Sequence, residues 1–283
     1  MAAVVLHNPR ELRNQADQHI RQGRNIGLVP TMGALHAGHA VLLANARAGC
    51  DVLVASIFVN PIQFNQAADL ANYPRTWDAD VELCLQQGVD IIYAPSAEEM
   101  YPGGFQSKVS LGSITQPMEG AGRPGHFDGV ATVVSKLFNA SRARFAWFGE
   151  KDFQQLKMIT QMAKDMDSGI EIIAVPTVRE EDGLALSSRN RRLNADERKS
   201  ALTLSRTLME MIRTAKAGQH SVSQLLKLGK ETLSQEASVT LEYLEIVDAN
   251  TLHNLKSLTG SARVLIAAQV GPVRLIDNMD ISI

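Results

Sequence analysis

The sequence predicts an α/β protein: a mostly parallel sheet covered by helices over residues 1–177, followed by a smaller α+β domain over residues 178–283. Short apolar, β-branched runs alternate with amphipathic stretches through the first part. The alternation stops near Thr177, at a charged loop that carries Gly183 and two serines. Strand-like runs joined by turns rather than by helices close the chain.

The elements follow in order. Strands are expected at 26–29, 52–59, 89–93, 144–148 and 170–175, where the apolar runs are short and β-branched. Helices are expected between them at 37–48, 76–87, 129–140 and 153–166. In the third, Val130, Val133, Val134, Leu137 and Phe138 share one face at helical spacing. After the loop at 178–192, Asn194 with Glu197 three residues later forms a capping-box pattern. That pattern opens a helix to about Ala217, and a second helix begins near Ser221. The closing strands are expected at 240–247, 263–268 and 273–276.

Composition narrows the function class. The 283 residues are 45% hydrophobic and 20% charged, enough for a sizeable core without disulfides or metals. A net charge of −2 gives no support for bulk nucleic-acid or membrane-surface binding. Cys50 and Cys84 belong to no CxxC or Cys/His cluster, so no zinc site is expected and both are read as buried small hydrophobes. His7, Asn8 and Arg10 stand where a signal peptide would be apolar, and no run reaches the roughly 18 apolar residues of a spanning helix. A soluble cytoplasmic protein is the expectation.

Chemistry concentrates where strands should end. The first strand runs into Met32-Gly33-Ala34-Leu35-His36-Ala37-Gly38-His39, a glycine-containing turn that opens a helix. Ligands of open α/β sheets bind at the carboxyl ends of the strands, and helix N-termini suit phosphates. His36 and His39 share one side of the first turn and could donate to phosphate oxygens. Two ordinary cap histidines would leave the same pattern. This HxGH resembles the HIGH-type signature of the nucleotidyltransferase superfamily, whose members bind ATP on a Rossmann-like domain.

Further polar segments follow. Asn60 and Gln63 lie just past the second strand, where amides can bind hydroxyls and carboxylates, or merely shape an Asn-Pro turn. A glycine-dense stretch, Arg123-Pro124-Gly125-His126, opens onto the amphipathic helix and reads as a second anion-facing helix start or a mobile gate, while His126 could equally fix backbone shape. Gly149-Glu150-Lys151-Asp152 ends another strand, offering a cation for phosphate and an acid for a ribose hydroxyl, a Mg²⁺-bound water or simple capping. Leu186-Ser187-Ser188-Arg189 places two hydroxyls and a guanidinium on a flexible loop.

Taken in order, TMGALHxGH, FVNPxQF, YPRT, RPGHF, GEKDFQQL and DGLALSSRN closely resemble the pantothenate synthetase (pantoate–β-alanine ligase) family, as does the Arg274–Asn278 ending. The resemblance covers nearly the whole chain. It implies ATP-dependent condensation of pantoate with β-alanine through a pantoyl adenylate, releasing AMP and pyrophosphate. It implies that Met32 through His39 bind ATP, with His36, His39 and Lys151 catalytic. Gly149, Glu150, Lys151, Asp152, Val178, Leu186, Ser187, Ser188 and Arg189 are the other implied ATP contacts, the later ones from a domain that closes over the nucleotide. Gln63 and Gln155 resemble the pantoate contacts, and Gln63 also faces the β-alanine site. Asn60 and Arg123 are weaker transfers. Mg²⁺ would accompany ATP, with no dedicated metal site in the protein. A homodimer is implied, with no nucleic-acid or membrane partner. Another HxGH nucleotidyltransferase acting on a small acid or phosphate substrate would share the first motif. A nucleotide-binding module without chemistry would bind ATP and release no AMP.

Overall fold

The computed structural model describes residues 3–283. The chain divides into two compact units. The first runs to Glu150 and resumes over Gln155–Pro176; the second joins Lys151–Gln154 to Thr177–Ile283.

The first unit carries a six-stranded, all-parallel sheet. In chain order its elements are β1 (Val4–Leu6), α1 (Pro9–Arg21), β2 (Ile26–Thr31), α2 (Ala37–Gly49), β3 (Val52–Ile57), α3 (Ala67–Ala71), α4 (Trp77–Gln86), β4 (Ile91–Tyr93), α5 (Ala97–Met100), α6 (Glu119–Gly122), α7 (His126–Ser141), β5 (Phe145–Gly149), α8 (Phe153–Asp165) and β6 (Glu171–Val175). The strand order is β1-β4-β3-β2-β5-β6. Residues 26–29 of β2 and 52–56 of β3 are buried on both faces, as helix-covered parallel strands require. Order reverses between β2 and β5, which pair through Gly27 with Phe145 and Leu28 with Ala146. Such a reversal makes the switch point where ligands of open sheets bind.

Two elements at the head of the chain lie outside the sequence expectation. β1 has three residues, two of them exposed at the sheet edge, too few to show a period. α1 begins on a recognisable signal: the Asn8 side chain accepts from the Arg10 N–H, and Pro9 takes the first helical position. α7 is buried nearly all round, from His126 to Ser141.

The second unit contains α9 (Ala195–Lys216), α10 (Val222–Ser234) and an antiparallel sheet of β7 (Val239–Asp248), β8 (Ala262–Val270) and β9 (Val273–Asp280), in that order. Asn194 and Glu197 form the expected capping box. Leu204, Leu208 and Met211 of α9 meet Leu225 of α10 and Ile246, Val264 and Ile266 of the sheet in one core. Gly229 permits the close fit, since a Cβ there would stand 2.6 Å from Leu244 Cδ2 and 2.7 Å from Met211 Sδ. Among the described residues, no helix is long and apolar enough to cross a membrane.

Candidate active site

The segment after β2 is held from behind. The Thr31 hydroxyl donates to the Ser56 carbonyl at 2.6 Å and accepts the Gly33 N–H at 3.2 Å. Gly33 and Ala34 both adopt left-handed backbone, with φ of 78° and 51°. For alanine this conformation costs about 1–2 kcal/mol. The Asp80 carboxylate, 2% exposed on α4, offsets that cost by accepting the N–H groups of Ala34 and Leu35, at 2.9 and 2.7 Å. Thr76 donates to the same carboxylate at 3.0 Å. Sequence patterning did not single out Asp80, because its partners are backbone groups 45 and 46 residues away.

The two histidines that follow cap α2. His36 Nδ1 accepts the Gly38 N–H at 3.1 Å, and His39 Nδ1 accepts the His36 N–H at 3.3 Å. Their ring centroids lie 4.1 Å apart. Backbone N–H groups only donate, so each Nδ1 is the unprotonated nitrogen and each neutral ring carries its proton on Nε2. The two rings are therefore caps and Nε2–H donors together, so the cap reading and the phosphate reading of this motif are compatible. They stand at a helix N-terminus beside the switch point, where donors stabilise an anion.

A second polar group surrounds the short 3₁₀ turn Pro61–Gln63 after β3. Asn60 Nδ2 donates to Gln63 Oε1 at 2.9 Å and to the Gly129 carbonyl at 3.1 Å. Asn60 Oδ1 accepts from the Tyr101 hydroxyl at 2.8 Å. Gln63 Nε2 lies 2.9 Å from Met32 Sδ. His126, buried at the start of α7, bonds through Nδ1 to the Gln63 carbonyl at 2.8 Å, and its Nε2 lies 3.1 Å from Arg123 Nη1. A carbonyl only accepts, so Nδ1 carries the proton and Nε2 accepts from Arg123. Of the alternatives open for His126, the structure favours the one that fixes backbone shape. Arg123 also lies 3.8 Å from the buried Glu119.

Glu150–Asp152 form a 3₁₀ turn between β5 and α8. Asn278 Nδ2 donates to the Lys151 carbonyl at 2.9 Å, and Asn278 Oδ1 accepts from Arg263 Nε at 2.7 Å. The Arg263 guanidinium stacks 4.4 Å from the Phe153 ring. These contacts explain why Lys151–Gln154 group with the second unit. Lys151 is half-buried and Asp152 exposed.

The loop at 178–192 is laced by bonds of its own and to the rest of the second unit. Arg179 bridges to Ala185, and Leu186 donates to the Val178 carbonyl at 2.9 Å. Arg179 makes a two-pronged ion pair with the buried Asp277, both bonds 2.8 Å. Arg198 holds Glu180 at 2.7 Å and Asp182 at 2.6 Å, and Asn190 donates to Glu180 at 2.9 Å. The Ser187 hydroxyl accepts the Arg189 N–H at 3.2 Å and caps a 3₁₀ turn over Ser188–Arg192. Asp277 and Asn278, known from the sequence only as part of a family-like ending, thus anchor both polar segments of this unit.

The expected site residues fall into two sets. Met32 through His39, Asn60, Gln63, Arg123, Gly149, Glu150 and Gln155 belong to the first unit. Within it Gln63 touches both Met32 and Asn60, and Arg123 reaches Gln63 through His126. Lys151, Asp152, Val178, Leu186, Ser187, Ser188 and Arg189 belong to the second. One expectation needs correction: Cys84 is buried, whereas Cys50 is only half-buried, at the end of α2, where its thiol donates to the Ala46 carbonyl at 3.1 Å. Burial pushes the Cys50 thiol up to about 11 and the Cys84 thiol up to about 12.

The sequence profile of the pantoate-beta-alanine ligase family matches residues 4–280. The chain belongs to the pantoate–β-alanine ligase family. It is 50% identical over 277 residues to the pantothenate synthetase of Bacteroides thetaiotaomicron, covering 97% of this chain and 98% of that one. It is 46% identical over 274 residues to that of Pelobacter propionicus, covering 97% and 96%. The crystal structure of pantothenate synthetase from Thermus thermophilus matches with a TM-score of 0.94 at 43% identity, over 99% of this chain and all of that one. The pantoate–β-alanine ligase of Francisella tularensis, solved with beta-gamma ATP and beta-alanine, matches with a TM-score of 0.82 at 35% identity, over 99% and 98%. The ligases of this family join pantoate to β-alanine with the use of ATP.

Proposed function

We propose that this ligase works in two steps. A pantoate carboxylate oxygen attacks the α-phosphorus of ATP, forming the acyl–O–P bond while pyrophosphate leaves. The β-alanine amine, having lost a proton, then attacks the acyl carbon, and the C–O bond breaks to release AMP. Adenylation turns a poor carboxylate leaving group into a good one. Binding of beta-gamma ATP and beta-alanine by the Francisella relative supports the use of both substrates.

The observation that carries the assignment is the pair of Nε2–H imidazoles, His36 and His39, at the N-terminus of α2. They donate toward charge that grows on the α-phosphate, and neither proton needs to be transferred in the first step. Met32, Gly33, Ala34, Leu35, Ala37 and Gly38 supply the adjoining backbone of the nucleotide site. Gly149 and Glu150 line it, Lys151 gives phosphate a cation, and Asp152 binds ribose. Val178, Leu186, Ser187, Ser188 and Arg189 make the remaining nucleotide contacts. Gln63 and Gln155 hold pantoate, and Gln63 also faces β-alanine. Asn60 and Arg123 act behind Gln63.

No group of three or more His, Cys, Asp or Glu side chains that could hold a metal ion occurs among the described residues. Mg²⁺ bound with ATP would neutralise polyphosphate charge. The proposal includes a cytoplasmic homodimer; light scattering on the purified chain reads the assembly directly.

The deciding experiment omits each substrate in turn. Pyrophosphate exchange into ATP should need pantoate alone, and AMP release should need pantoate and β-alanine together. Exchange that requires β-alanine, or a stable nucleotidyl product, would overturn the two-step scheme.

A further inference from the structure

We infer that Tyr101 is a positioning residue: through Asn60 it fixes the Gln63 side-chain amide so that its N–H, not its carbonyl, faces the pantoate oxygens. The inference rests on Gln63 as a pantoate contact and adds what sets its polarity.

The chain of contacts has one consistent direction. The Gly129 carbonyl can only accept, so the Asn60 atom 3.1 Å from it is the amide nitrogen. Asn60 is 1% exposed, so no bulk water can substitute for a lost partner. Its oxygen then faces Tyr101, whose hydroxyl must donate across 2.8 Å. Its second N–H meets Gln63 Oε1 at 2.9 Å. The Gln63 oxygen is thereby taken, and the nitrogen is the end left to point away from Asn60.

That nitrogen rests 2.9 Å from Met32 Sδ. A thioether is a weak acceptor, so a carboxylate or hydroxyl oxygen outcompetes it for the N–H. Tyr101 is itself fixed. Its ring packs against Phe58 and Phe105 at centroid distances of 6.2 and 5.1 Å, and the Lys136 ammonium lies 4.9 Å from the Phe105 centroid. Burial pushes the phenol up, so its donor proton stays in place at every working pH.

Removing the hydroxyl strands the Asn60 oxygen. The Gly129 carbonyl still bars a full flip, so the Asn60 amide turns aside to find another donor, its N–H leaves Gln63 Oε1, and the Gln63 amide is free to turn its own oxygen toward substrate. An amide oxygen repels a carboxylate.

The test is a double-mutant cycle in the full chain, reading initial rates against pantoate at saturating ATP and β-alanine. Tyr101→Phe should raise the pantoate KM about tenfold, with kcat and the ATP KM within about twofold of wild type. On a Gln63→Ala background the same change should be silent. If Gln63→Ala raises the pantoate KM but Tyr101→Phe does not, or if Tyr101→Phe acts equally on both backgrounds, the positioning role is overturned. If Gln63→Ala itself leaves the pantoate KM unchanged, the underlying pantoate contact fails and takes this inference with it.

Discussion

Asp80 holds Ala34 in a left-handed conformation by accepting its N–H at 2.9 Å, while the other carboxylate oxygen takes the N–H of Leu35. Two residues separated in the chain by α2, β3 and α3 thus set the geometry of the turn that leads into His36. Asp80→Asn retains the shape but turns an amide N–H on a backbone N–H. We expect a loss of about 2–3 kcal/mol in denaturant unfolding. Pantoate-dependent pyrophosphate exchange should fall more steeply than the change in folded fraction, because the turn rather than the core is displaced. Equal falls would reduce Asp80 to a stability residue.

Gly129 allows α7 to press against the Gln63 turn. A Cβ there would stand 2.5 Å from the Ile62 carbonyl oxygen and 2.8 Å from Gln63 N and Cα, all backbone atoms that cannot rotate away. Gly129→Ala should therefore cost about 1–3 kcal/mol of stability and raise the pantoate KM, since the Asn60–Gly129 bond moves with it. Thermal unfolding and pantoate kinetics on one preparation check both parts.

Lys151→Ala should lower pyrophosphate exchange by about 10²–10³-fold, because a desolvated phosphate would lose its cation. Asn278→Ala is expected to act in the same direction and more weakly, since Asn278 holds the Lys151 backbone at 2.9 Å and not its ammonium. Exchange at the native rate in Lys151→Ala would remove that residue from the mechanism.

Acid should loosen the 178–192 loop. The Arg198 hydrogen bond, helped by Asn190, holds the Glu180 carboxyl below its usual 4.5. A carboxyl with a lower pKa folded than unfolded contributes its full stability above the unfolded value and loses it as pH falls through the folded one. The stability gap between wild type and Arg198→Met should thus be widest at neutral pH and close below about pH 4.5. Urea midpoints measured from pH 7 to pH 3 would show the closure, and a gap independent of pH would deny it.

The sequence by itself determined the fold class and the order of the longer strands and helices from β2 onward. Buried parallel strands are continuous apolar runs, and α9 announced its start through Asn194 and Glu197, because these signals are local and repeat at a fixed period. The chemistry-bearing motifs were legible for the same reason: each sits in a few consecutive residues at a strand end. β1 was too short to have a period. Tertiary structure alone decided the rest. Asp80 behind Ala34, Tyr101 behind Asn60, and Asp277 and Asn278 behind the Arg179 and Lys151 segments are buried polar groups whose partners lie 46, 41, 98 and 127 residues away. A buried hydrogen-bonding group must find a partner wherever the fold brings one, so its identity depends on three-dimensional proximity and leaves no spacing in the chain to read.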